Sequence, residues 1–115
     1  METLSTQSAA DVTACLKAVS DPTRLMMMKL VETNEYCVCQ FVKMFGMSQP
    51  AISQHLRKLK QAGLLKENRR GQWRFYSMNK ESSHIALLLD ILGHIEDSDA
   101  QLQAVRAKEK PVDCF

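Results

Sequence analysis

The sequence predicts a mainly α-helical fold with one β-hairpin, in the order α-α-α-α-β-β-α. Three observations carry that prediction. Apolar residues recur at helical spacing through the first 62 residues, interrupted by strong stop and start signals. Residues 72–78 switch to the alternation of a strand. A second helical stripe then runs from residue 82 to about 107. At 115 residues, with 45% hydrophobic and 24% charged, the chain suits one globular domain with a modest core, which a partner subunit would help to cover.

The elements follow in order. Val12, Cys15, Leu16 and Val19 mark a helix over residues 8–19. Asp21 and Pro22 restart the chain, the first as N-cap and the second at a helical position where its missing N–H costs nothing. The helix over 22–32 is apolar nearly all round (Leu25, Met26, Met27, Met28, Leu30, Val31), so the three methionines read as core packing. A short third helix spans 36–45 and stops at Gly46. Ser48 then caps a fourth helix, about 49–62, closed by Gly63. Its inward face is Ala51 or Ile52, Leu56 and Leu59. Two runs, 64–68 and 72–78, flank Arg69-Arg70-Gly71 as a hairpin with a basic tip. Ile85, Leu88, Leu92, Ile95, Leu102 and Val105 place the rest, residues 82–107, on one long amphipathic helix. That helix has more apolar surface than so small a domain covers, which predicts a homodimer through the first and last helices. The domain is expected over 8–107, with a flexible N-terminus at 1–7 and a tail at 108–115.

Charge sharpens the functional reading. The net charge is only +2, yet residues 43–80 carry nine basic side chains against the single acid Glu67, or +8, and the flanks carry −6. Such one-sign density suits a polyanion, most simply nucleic acid. Helix, glycine-containing turn, helix and basic hairpin make a winged helix-turn-helix, with its helices at 36–62 and its wing at 64–78. Gln49, Gln54 and His55 suit base edges, and Ser48 and Ser53 suit base or phosphate. Arg57 and Lys58 suit phosphates, and Arg69, Arg70 and Arg74 charge the wing. The expected partner is double-stranded operator DNA with two-fold related half-sites.

Other classes fall away. No apolar run nears the about 20 residues of a membrane span, and residues 1–11 lack the basic and apolar regions of a signal peptide. No catalytic triad, phosphate loop or open metal–water site is visible, so an enzyme is not expected. Cys15, Cys37, Cys39 and Cys114 are therefore expected to be reduced thiols in a cytoplasm, with Cys37 and Cys39 too close in sequence for an ordinary bridge. No cofactor is needed for folding, and nothing points to a membrane or to a protein partner beyond a second copy.

Three segments resemble one family. Ala18-Val19-Ser20-Asp21-Pro22-Thr23-Arg24-Leu25, the run from Met47-Ser48-Gln49-Pro50-Ala51-Ile52-Ser53-Gln54-His55 to Leu56-Arg57-Lys58-Leu59, and Ala62-Gly63-Leu64 are similar to the ArsR/SmtB metalloregulatory repressors. The likeness is close over residues 12–78. It implies a dimer that holds an operator and releases it on binding a soft metal or metalloid. Cys37-Val38-Cys39 resembles the family's metal box, which implies As(III) or Sb(III) as inducer. Cadmium and lead go with additional N-terminal cysteines, and here only Cys15 precedes the box. Asp90, His94 and Glu96 do not reproduce the zinc pattern of the last helix, and His84 and His94 read as surface or dimer-seam residues. In the arsenical pattern a third cysteine stands five residues after the first, a place held by Val42. The third sulfur is then Cys114 on the tail or, as a lesser choice, Cys15; a two-sulfur site is the remaining reading. A thiol redox or persulfide sensor on the same fold is the alternative function.

The spacing also predicts a mechanism. Side chains at i and i+2 of an α-helix point about 200° apart. With the third helix starting at Tyr36, an ion held by both sulfurs would have to distort its first turn.

Overall fold

The structure, a computed structural model, describes residues 6–112. Helix α1 (Ala9–Val19) is capped by the Ser8 hydroxyl, which accepts from the Asp11 N–H. Asp21 caps α2 (Pro22–Val31), accepting from the Thr23 and Arg24 N–H groups at 2.8 and 3.1 Å. The Arg24 side chain turns back to α1 and donates to the Ala18 carbonyl at 2.7 Å, satisfying an orphan carbonyl at that helix's end. A two-residue strand, β1 (Tyr36–Cys37), precedes α3 (Val38–Phe45), which Gly46 ends in the left-handed conformation at φ 62°. Helix α4 (Gln49–Gln61) follows, then β2 (Leu65–Arg70), β3 (Trp73–Met78), α5 (Ile85–Gly93) and α6 (Ala100–Arg106).

The hairpin turns through Gly71 and Gln72, since Arg70 pairs with Trp73 and Gly71 sits at φ 62°. The sheet is antiparallel in the order β1-β3-β2, with Tyr36 opposite Tyr76 and Cys37 opposite Phe75. One core joins the helices. Met27, Met28 and Leu30 of α2, Phe41 of α3, Leu56 and Leu59 of α4, and Leu88, Leu92 and Leu102 are all essentially inaccessible.

Two expectations need correction. The third helix begins at Val38, not Tyr36, because residues 36 and 37 are extended and bonded to the wing strand. The stretch 82–107 is not one helix but two. At the break, the His94 and Ile95 N–H groups fall back to the Ile91 and Leu92 carbonyls, a tighter spacing than the α-helix. The buried Lys29 ammonium donates to the Leu92 carbonyl at 3.1 Å, occupying the acceptor that the next helical turn would use. Asp99 then starts α6 by accepting from the Leu102 N–H at 3.0 Å. The element order is therefore α-α-β-α-α-β-β-α-α, a winged helix-turn-helix with an added edge strand and a divided C-terminal helix.

Candidate DNA interface and thiol site

Helix α4 presents the predicted reading face. Ser48, Gln49, Gln54, Arg57 and Lys58 are exposed, while Ile52, Leu56 and Leu59 face the core. The Ser48 hydroxyl accepts from the Ala51 N–H at 3.3 Å, so it caps the helix while remaining at the surface. Ser53 and Arg57 line a cavity of about 330 Å³ between α4 and the wing, together with Lys60, Glu67, Arg74 and Tyr76. Glu67, the one acid of the basic segment, holds Lys60 at 2.7 Å and Arg74 at 3.7 Å. The hydrogen bond from Lys60 holds its carboxyl below the usual range despite partial burial.

The wing places Arg69 directly opposite Arg74. Like charges in register oppose pairing, and their separation is relieved only in part by Glu67. Arg70 lies over the Phe75 ring at 3.9 Å and donates to Glu35, with about half of its side chain still exposed.

His55 does not join the exposed face. Its Nδ1 lies 3.2 Å from an Arg24 guanidinium nitrogen and 4.0 Å from Asp21 Oδ1, tying α4 to the α1–α2 corner. Burial pushes the Asp21 carboxyl up, but the Arg24 and Thr23 N–H groups and the facing His55 and Arg24 outweigh it, leaving the group below its ordinary value. Arg24 was invisible as a joint in the sequence because its partners lie 6 and 31 positions away.

The thiols lie where the edge strand β1 passes into α3. The Cys37 and Cys39 sulfurs are 2.9 Å apart. This overturns the expectation that only a distorted helix brings them together. Cys37 stands before the helix with extended backbone (φ −92°, ψ 166°), so the 200° helical rotation never applies between them. Tetrahedral coordination with bonds of about 2.3 Å spaces two sulfurs about 3.8 Å apart, so the pair need open by only about 1 Å to share an ion. Gln40 keeps Cys37 in place, its side-chain oxygen accepting from the Cys37 N–H at 2.9 Å. Burial, with the Cys39 contact, pushes the Cys37 thiol up and keeps it protonated. The residues suit a soft, thiophilic ion and give a hard cation little to bind.

Cys37, Cys39, Val42, Gln49, Trp73 and Arg74 together line a cavity of about 390 Å³ that runs from the thiols to the start of α4 and the turn end of the wing. Cys15 is fully buried in the core and its thiol is raised by that burial. Cys114 lies outside the described residues. Among the described residues, no cluster of three or more Cys, His, Asp or Glu side chains stands ready to hold a metal.

The profile described as "Bacterial regulatory protein, arsR family" matches residues 21–67. An uncharacterized HTH-type transcriptional regulator of Methanocaldococcus jannaschii is 44% identical over 71 residues, covering 61% of this chain and 76% of that one. The chain belongs to the ArsR family. An arsenical resistance operon repressor of Staphylococcus xylosus is 33% identical, over 74% of this chain and 83% of its own length. Among solved structures, reduced HlyU of Vibrio cholerae superposes with TM-score 0.65 at 28% identity, over 73% of this chain and 86% of the other. This ArsR-family protein is accordingly a DNA-binding transcriptional repressor and not an enzyme. Its winged helix-turn-helix is the family's fold. Among the described residues, no helix is long and apolar enough to cross a membrane.

Proposed function

We propose that this ArsR-family protein is an arsenite- or antimonite-responsive repressor. It binds operator DNA as a dimer and leaves it when the metalloid takes the thiols of Cys37 and Cys39, with Cys114 as third ligand. The observation that carries the reading is the sulfur pair itself, 2.9 Å apart where a strand paired with the wing passes into α3. Arsenite exchanges hydroxyls for sulfurs, each exchange forming one As–S bond and releasing one water that carries away the thiol proton. A neutral Cys37 thiol suits that reaction, because its proton leaves with the departing hydroxyl and no net charge is left buried. The names of relatives such as the S. xylosus repressor point the same way.

The route to DNA runs through the sheet. Opening the sulfur pair moves Cys37, and Cys37 is in register with Phe75, two residues from Trp73 at the wing's end. The same movement disturbs the start of α3, which supports α4 from beneath. Metalloid and DNA then favour different arrangements of one sheet, and each weakens the other by the same factor. Ser48, Gln49, Ser53, Gln54, Arg57 and Lys58 contact the operator in this reading, with Arg69, Arg70 and Arg74 on flanking phosphates. His55 contributes by fixing the angle of α4.

Titrating operator-bound protein with arsenite, antimonite, cadmium, zinc and a mild oxidant tests the proposal. Arsenite or antimonite should release wild-type protein, while Cys37→Ser and Cys39→Ser should bind DNA and stay bound. Release by zinc alone, or by oxidant but not arsenite, would replace the metalloid reading with a zinc or redox sensor.

A further inference from the structure

Three consecutive contacts bring the end of the chain back onto the thiol box. The Tyr36 hydroxyl donates to Glu109 Oε1 at 3.0 Å, and Gln40 Nε2 donates to the Lys110 carbonyl at 2.7 Å. The Val112 carbonyl lies 3.0 Å from the Cys39 sulfur and 3.8 Å from that of Cys37. We propose that residues 109–112 form a strap docked on the box, and that Tyr36 and Gln40 are its positioning residues. The strap thereby covers the thiols of its own subunit. This rests on the thiol-site reading above, although the docking itself does not depend on which ion binds.

The platform is rigid where the strap meets it. Tyr36 and Gln40 are 2% and 6% exposed, and Tyr36 packs against Phe41 with ring centroids 5.3 Å apart. Gln40 divides its amide between two tasks: the oxygen caps α3 through the Cys37 N–H and the nitrogen grips the strap. The strap is also preorganised. Pro111 has a restricted φ and biases Lys110 toward extended backbone, which lowers the entropy lost on docking.

The test uses full-length Tyr36→Phe/Gln40→Glu. Glutamate keeps the acceptor for the Cys37 N–H and loses the donor to Lys110, so the helix cap survives while the strap loses both grips. Alkylation of Cys39 by iodoacetamide, followed residue by residue in the mass spectrum without any metalloid, should accelerate about tenfold. Glu109→Gln, which preserves an acceptor for Tyr36, should react at the wild-type rate. A double variant that unfolds at the wild-type temperature and alkylates at the wild-type rate would overturn the strap. Because alkylation needs no metalloid, a protein indifferent to arsenite would defeat the metalloid reading and leave this result standing.

Discussion

Cys37 shows how one backbone position sets the chemistry of a site. In the extended conformation just before α3, its sulfur faces that of Cys39, and one turn later Val42 borders the same cavity. Burial favours the neutral thiol, so the folded chain keeps this proton to higher pH than the unfolded chain does. The associated stability is complete below the ordinary thiol pKa and is lost as pH rises through the raised value. Cys37 alkylation should accordingly reach half its maximal rate above the ordinary thiol value, in a pH series read by mass spectrometry. A midpoint at or below that value would contradict the burial argument. Val42 supplies a second prediction. If Cys114→Ala is insensitive to arsenite, adding Val42→Cys should restore release from the operator, because the new sulfur enters the cavity already bordered by Cys37 and Cys39. Both cysteines were legible as a pair in the sequence. Their mutual approach was not, because helix periodicity was applied across a residue that belongs to a strand.

Among the elements, the wing and the C-terminal helices depend most on single polar contacts. Glu67 restrains Lys60 and Arg74 between α4 and β3. Glu67→Gln should free both cations, raise affinity for unrelated duplex DNA, and steepen the dependence of log affinity on log salt by about one per subunit. An unchanged slope in a salt titration would remove Glu67 from the electrostatic account. The sign of the pH effect follows from its lowered carboxyl. The hold on Lys60 is intact above the ordinary carboxylate pKa and fades as pH falls through the lower folded value. At the other end, Asp99→Ala removes the side chain that begins α6 and should cost about 1 kcal/mol, measured by urea unfolding. The apolar stripe over 82–107 was correctly placed by periodicity. Its division was hidden because the residue that takes the Leu92 carbonyl, Lys29, comes from another helix 63 positions away.

At the scale of the molecule, charge and apolar surface are segregated. Residues 43–80, which include α4 and the wing, carry +8, whereas the segments on either side carry −6. A dimer that joins through the acidic flanks leaves two basic heads exposed to one duplex. Among the described residues, the large exposed hydrophobics are Leu16 of α1 and Leu89 of α5, the two regions expected to meet a second copy. Leu16→Glu/Leu89→Glu should sediment as a monomer and lose more than about tenfold in operator affinity, since one half-site then binds without the other. A dimer that persists would move the interface elsewhere on the surface.

The sequence by itself determined the helix-turn-helix, the basic wing, the thiol pair and the family. Those properties are written in local signals: caps at Asp21 and Ser48, stops at Gly46 and Gly63, alternation in 72–78, and the run from Met47 to Leu59. Tertiary structure alone decided that Cys37 joins the sheet, that His55 turns inward to Asp21 and Arg24, that Lys29 divides the last helix, and that residues 109–112 return to the thiols. Each is a hydrogen bond or contact between residues distant along the chain. Local propensity does not encode such pairings, which form only when the packed core brings the partners together.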